Sequence, residues 1–89
     1  MATLHLTIKG EVQGVFYRAT AKKIADELGV TGWIKNTEEG NVEALVTGSQ
    51  PQLEKFISWC KEGPAKAKVF EVVSAEQKET FFECFTIIR

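Results

Sequence analysis

Cysteine, proline and histidine are all scarce in this 89-residue chain, which holds two Cys, two Pro and one His. Two cysteines, Cys60 and Cys84, are too few for a disulfide scaffold, and their separation matches no zinc-ligand pair. They read first as two reduced, semi-buried thiols and second as a disulfide. No run approaches the ~18 apolar residues that a membrane span needs, and residues 1–10 lack the apolar core of a signal peptide. The expected location is therefore the cytoplasm, with no membrane partner. An excess of one charge is missing too: Lys+Arg 11 against Asp+Glu 12 gives a net charge of −1 and a pI near 5.8. Such a chain has no general field for nucleic acid or anionic lipid. Any anion site must be local.

The composition that remains, 44% hydrophobic and 26% charged, fits one domain over residues 1–89 with one core. Leu4, Leu6 and Ile8 alternate with His5, Thr7 and Lys9, the period of a half-buried strand. Glycines at 10 and 14 then mark a loop. Tyr17, Ala21, Ile24, Ala25 and Leu28 form a helical stripe, and Gly29 is a natural C-terminal stop. A second strand is expected over 30–35, a turn over 36–40, and a third strand over 41–47, with Val42, Ala44 and Val46 on one face. Ser49 to Gln52 has capping-box spacing with Pro51 in the first turn. Leu53, Phe56, Ile57 and Cys60 supply the next stripe, closed by Gly63 and Pro64. Two β-rich runs, 68–74 and 81–88, complete a β-α-β-β-α-β-β order. Right-handed crossovers with both helices on one apolar sheet face give an α+β, ferredoxin-like split β-α-β sandwich. The sheet is expected to be antiparallel, with one additional C-terminal strand. That fold hosts many functions, so the site must decide.

The segment Gly10-Glu-Val-Gln-Gly-Val-Phe-Tyr-Arg18 leads from a strand directly into a helix. Free N–H groups at a helix start, with the positive end of its dipole, make an anion cradle. Gly14 removes a side chain where an oxyanion would approach, and Arg18 offers a guanidinium fork for phosphate or carboxylate. Read alone, the loop is equally a turn shaped by glycines beside a surface arginine. It is not the phosphate loop of nucleotide hydrolases, which ends in Gly-Lys-Ser/Thr. The first two strands of a βαβ unit run parallel, which brings Asn36, at the end of the second, near this loop. Asn36 is either an ordinary turn residue or an amide that orients a water, which it cannot deprotonate.

Ile8-Lys-Gly-Glu-Val-Gln-Gly-Val-Phe-Tyr-Arg18 resembles the first signature of the acylphosphatase family, Gly-x-Val-Gln-Gly-Val-x-Phe-Arg. Gly32-Trp-Ile-Lys-Asn36-Thr-Glu-Glu-Gly40-Asn-Val42, with Gly48 beyond it, is similar to the second. The departures, Tyr17 where Phe is usual and Ile34 where a smaller residue is common, are conservative. The resemblance implies hydrolysis of an acyl phosphate to a carboxylate and inorganic phosphate. By position, Arg18 and the backbone N–H groups of Gln13, Gly14, Val15, Phe16, Tyr17 and Arg18 would hold the phosphoryl group. Asn36 would hold the attacking water.

Such a sparse site suffices in principle, because phosphoryl transfer depends on positioning and on charge stabilisation at the equatorial oxygens. A leaving carboxylate of pKa ~4 departs without a general acid. No cofactor is implied, and no His, Cys, Asp or Glu grouping has metal-ligand spacing, so catalysis is expected to be metal-independent. His5, Glu38 and Glu39 read as solvated residues, and Glu11 as a surface carboxylate that would repel a phosphate. Phe16 and Tyr17 flank the cradle, as core residues or as a wall for the acyl group. Trp33 and Trp59 read as core or rim residues.

The same element order serves single-stranded RNA binding, but residues 41–47 carry no aromatic and no basic side chain for stacked bases. Metal-carrying domains of this fold place Cys-x-x-Cys in the first loop, where this chain has no cysteine. An inactive acylphosphatase-like binding module is the remaining rival, and the presence of both Arg18 and Asn36 favours the enzyme. The expected partner is a small acyl phosphate substrate, with inorganic phosphate as product and no nucleic acid, and the chain is expected to act as a monomer.

Overall fold

Alternation in the first strand, β1 (Ala2–Glu11), sends Leu6 and Ile8 into the core and turns His5 and Thr7 to the opposite face. The computed structural model describes residues 1–89. After β1 follow α1 (Tyr17–Leu28), β2 (Thr31–Asn36), β3 (Val42–Gly48), α2 (Gln50–Glu62), β4 (Lys68–Gln77) and β5 (Phe85–Ile87). The strands form one sheet in the order β4-β1-β3-β2-β5. β1 pairs antiparallel with β3 and β4, and β3 pairs antiparallel with β2. The split β-α-β sandwich is thus present. Its additional strand, β5, runs parallel to β2, with Trp33 opposite Thr86, which makes the sheet mixed.

Both helices cover one face of the sheet. Leu6, Ile8, Ile34, Val42, Ala44 and Val46 from the strands meet Ala21 and Ala25 of α1, and Leu53, Phe56 and Cys60 of α2. The small side chains of Ala21 and Ala25 let α1 lie close to the strands, while Phe56 and Phe85 fill the space with rings 5.8 Å apart. The two helix starts are built differently. Ser49 Oγ accepts from Gln52 N at 3.3 Å and Gln52 Oε1 accepts from Ser49 N at 2.7 Å, the expected capping box. α1 has no side-chain cap.

Three further sequence expectations change. The run over 81–88 is a regular strand only at Phe85–Ile87, because the chain first crosses the far end of the sheet. There Thr80 N donates to Thr3 Oγ1 at 2.9 Å and Thr80 O accepts from Thr47 Oγ1 at 2.8 Å. Thr3 and Thr47, themselves 2.7 Å apart, are buried under this crossing although they point away from the helices. The two thiols are free but differ, Cys60 being buried in the core and Cys84 exposed. His5 is not freely solvated: its Nε2 lies 2.7 Å from Glu43 Oε2, and Glu43 also meets Lys35 Nζ at 3.4 Å. The His5 hydrogen bond, aided by Lys35, holds the Glu43 carboxyl below its ordinary range.

Candidate active site

Since β1, β2 and β5 all run in one direction, their C-terminal ends share one rim of the sheet. The loop after β1, the end of β2 and the residues after β5 therefore converge. A cleft of about 250 Å³ at this rim brings Gly14, Phe16, Arg18 and Asn36 together with Ile87 and Arg89. A neighbouring depression shares Arg18, Asn36 and Arg89 and adds Lys35.

The loop is shaped by two left-handed residues. Gly14 has φ 74, and a Cβ there would project into open space, so the approach to its backbone is clear. Phe16, at φ 63, is the one non-glycine residue with positive φ and forms the N-cap of α1. Thr20 N donates to Phe16 O at 3.1 Å as the first helical bond, which leaves the N–H groups of Tyr17, Arg18 and Ala19 without helical partners. No acidic residue occupies this first turn. The donors and the helix dipole are left for an anion.

Each predicted residue has a distinct place around these donors. Val15 is half-buried against the core, and the Phe16 ring stands exposed at the rim. Tyr17 is buried: its ring lies 5.1 Å from Trp59, and its hydroxyl donates to Cys60 O at 2.7 Å. Burial raises the Tyr17 phenol far above its ordinary range and pushes the Cys60 thiol up to about 12, so both stay neutral. Of the two aromatics, Tyr17 is packed into the core and Phe16 stands free at the rim, and both line the cleft.

Arg18 is half-exposed, and its Nη1 donates to Ile88 O at 3.2 Å. Ile88 N in turn donates to Ile34 O at 2.8 Å, so β2 steadies the segment that orients the guanidinium. The other N–H donors of Arg18 face the cleft region without a protein acceptor. Alternation in β2 places Gly32, Ile34 and Asn36 toward the helices and Trp33 and Lys35 toward the open face. Asn36 thus points to the Arg18 side, where its Oδ1 is buried and has no hydrogen-bond partner. A buried acceptor left unpaired is costly unless a donor arrives from a ligand or water.

Gln13 departs from the pattern of an exposed loop residue. Its side chain turns from the cradle to the β2–β3 turn, where Nε2 donates to Thr37 O and Asn41 O, both at 2.8 Å. Ile87, Ile88 and Arg89 were not singled out in the sequence. The signal was the cation at the end of the last β-rich run, but its meaning depends on β5 lying beside β2, a pairing between distant segments. Glu11, Glu38 and Glu39 are exposed, and none lines the cleft. No group of three or more His, Cys, Asp or Glu side chains is gathered to hold a metal ion.

This geometry has relatives. The family model described as acylphosphatase matches residues 4–87. An acylphosphatase of Roseiflexus sp. (strain RS-1) is 45% identical over 80 residues, covering 90% of this chain and 86% of the relative. The crystal structure of acylphosphatase from Bacillus subtilis superposes with a TM-score of 0.96 at 30% identity, covering 100% of both chains. An acylphosphatase structure from Coxiella burnetii gives 0.94 at 36% identity, covering 98% of this chain and 92% of that one. The loop, the rim and these likenesses agree: the chain belongs to the acylphosphatase family, enzymes that hydrolyse acyl phosphates.

Proposed function

We propose that hydrolysis proceeds by in-line attack of a water held by Asn36 on a phosphoryl group held by Arg18 and the backbone of residues 13–18. The observation that carries this reading is the single cleft in which Arg18, Asn36 and an uncapped helix start meet. Two phosphate oxygens suit the Arg18 fork, and the remaining charge falls on the N–H groups of the left-handed turn. The partnerless Asn36 Oδ1 accepts a hydrogen from the water and aims its lone pair at phosphorus. The oxygen–phosphorus bond to the acyl group breaks as the new bond forms, and its electron pair leaves on the carboxylate. A phosphate oxygen of the substrate takes the water's proton, since no side chain at the cleft can serve as base. Products are a carboxylate and inorganic phosphate.

The substrate is a small acyl phosphate, and the reaction needs no metal or other cofactor. The match over residues 4–87 supports one working domain across 1–89. A cleft assembled from one chain supports action as a monomer. The free, exposed Cys84 suits the reducing cytoplasm, and no helix is long and apolar enough to cross a membrane.

The test is turnover of benzoyl phosphate, a simple aryl acyl phosphate, in buffer containing a strong chelator. The wild-type chain is expected to turn over undiminished. Arg18→Gln is expected to lose at least ~100-fold in kcat/KM, together with inhibition by inorganic phosphate, while its circular dichroism is unchanged. Near-normal hydrolysis by Arg18→Gln, or a chelator loss restored by Mg²⁺, overturns the reading.

A further inference from the structure

We propose that the Gln13 side chain is a positioning residue that sets Asn36 against the phosphate cradle. The inference rests on the reading of Asn36 as the holder of the attacking water. Gln13 belongs to the loop that carries the cradle, yet its amide leaves that loop and grips the segment directly after Asn36. Both N–H bonds of Nε2 are spent on backbone carbonyls, Thr37 O and Asn41 O, at 2.8 Å each. An oxygen in that place would face two carbonyl oxygens, so the amide has one permitted orientation.

The gripped turn is tightly knit. Thr37 N donates to Asn41 O at 2.9 Å, Gly40 N to Thr37 O at 3.2 Å, and Asn41 N to Thr37 Oγ1 at 3.1 Å. The turn therefore moves as a unit, and the Gln13 amide is a direct side-chain tie between it and the cradle loop. Asn36 makes no side-chain hydrogen bond of its own that would fix it. Its position relative to bound phosphate is inherited from β2 on one side and from Gln13 on the other.

Misplacement of about 1 Å in a reacting group costs on the order of 100-fold in rate. Losing the Gln13 tie is thus expected to lower kcat far more than phosphate affinity, because the cradle uses the backbone of this loop and the Arg18 side chain. Gln13→Met keeps length and removes both donors. Its kcat on benzoyl phosphate is expected to fall about 10- to 100-fold, with the inhibition constant of inorganic phosphate within about twofold of wild type. In an Asn36→Ala background the same change is expected to cost little more, since the residue it acts through is gone. Gln13→Glu adds a titration: two carbonyls raise the new carboxyl's pKa above the usual ~4.3, and once protonated it donates to one of them. Its activity relative to wild type is expected to recover as pH falls from about 7 toward 5.

The outcomes separate. A Gln13→Met kcat near wild type beside a crippled Asn36→Ala overturns this inference alone. So do equal losses of kcat and phosphate binding, or an unchanged Gln13→Met cost in the Asn36→Ala background. An Asn36→Ala enzyme with near-normal kcat overturns the parent reading instead. Should Gln13→Met fold poorly, Gln13→Glu decides by its pH profile: a flat ratio to wild type counts against the tie.

Discussion

Phe16 is 79% exposed and held at φ 63, a combination that puts backbone strain where no burial compensates it. A non-glycine residue in this region costs roughly 1–2 kcal/mol, and Asn visits it more readily than Phe. Phe16→Asn is therefore expected to stabilise the fold by about 1 kcal/mol, read as a rise of ~4–8 °C in Tm. An unchanged or lower Tm would show that the turn is held without cost. The strain sits in the loop that turns three helix N–H groups toward the cleft, so the fold sacrifices stability where it presents donors to an anion. A Phe with positive φ leaves no mark on a sequence. Arg18 and Asn36 were legible because motif spacing and parallel strand ends are local and topological facts. The Gln13 amide, the Ile88 carbonyl and the Glu43–His5 pair were not, since each is a contact between segments far apart along the chain.

At the level of elements, the start of α1 depends on the end of α2. The Cys60 carbonyl would find its helical donor at position 64, but Pro64 has no N–H. The Tyr17 hydroxyl takes that place at 2.7 Å, one residue before Arg18. Tyr17→Phe leaves a buried carbonyl unpaired, at a cost of about 1–3 kcal/mol. A Tm fall of at least ~4 °C is expected, with kcat changed much less than in Gln13→Met. A Tm within experimental error of wild type would refute the tie. The helices themselves were readable, because the stripes Tyr17–Ala21–Ala25 and Leu53–Phe56–Cys60 recur at helical spacing and all six residues are buried. β5 was readable as a β-rich run but not as a neighbour of β2, since periodicity says nothing of which strand a strand will meet. Its length was overestimated because Phe81, at 83% exposed, continues the apolar composition into the crossing held by Thr80.

For the whole molecule, the open face of the sheet carries an acid-sensitive link between β1, β2 and β3. Glu43 lies between His5 and Lys35, and its carboxyl is held below the ordinary range by the His5 hydrogen bond first and Lys35 second. A depressed folded pKa means that the unfolded chain takes up the proton first. The stabilisation is full above the unfolded value near 4.3 and fades as pH falls through the folded one. Glu43→Gln is expected to be less stable than wild type at pH 7, with the Tm gap closing as pH falls below the ordinary carboxylate range. A gap independent of pH would place the effect in packing. The same topology has a consequence for synthesis. β1 is synthesised before both of the strands that flank it, Leu6 lying opposite Ala44 and Ser74. At about 5–20 residues per second the nascent Leu4–Leu6–Ile8 stripe waits several seconds for its second neighbour. Throughout that wait it offers a half-satisfied apolar ribbon to any passing chain, so the long reach from β1 to β4 is the stretch of synthesis in which this fold is most open to mispairing.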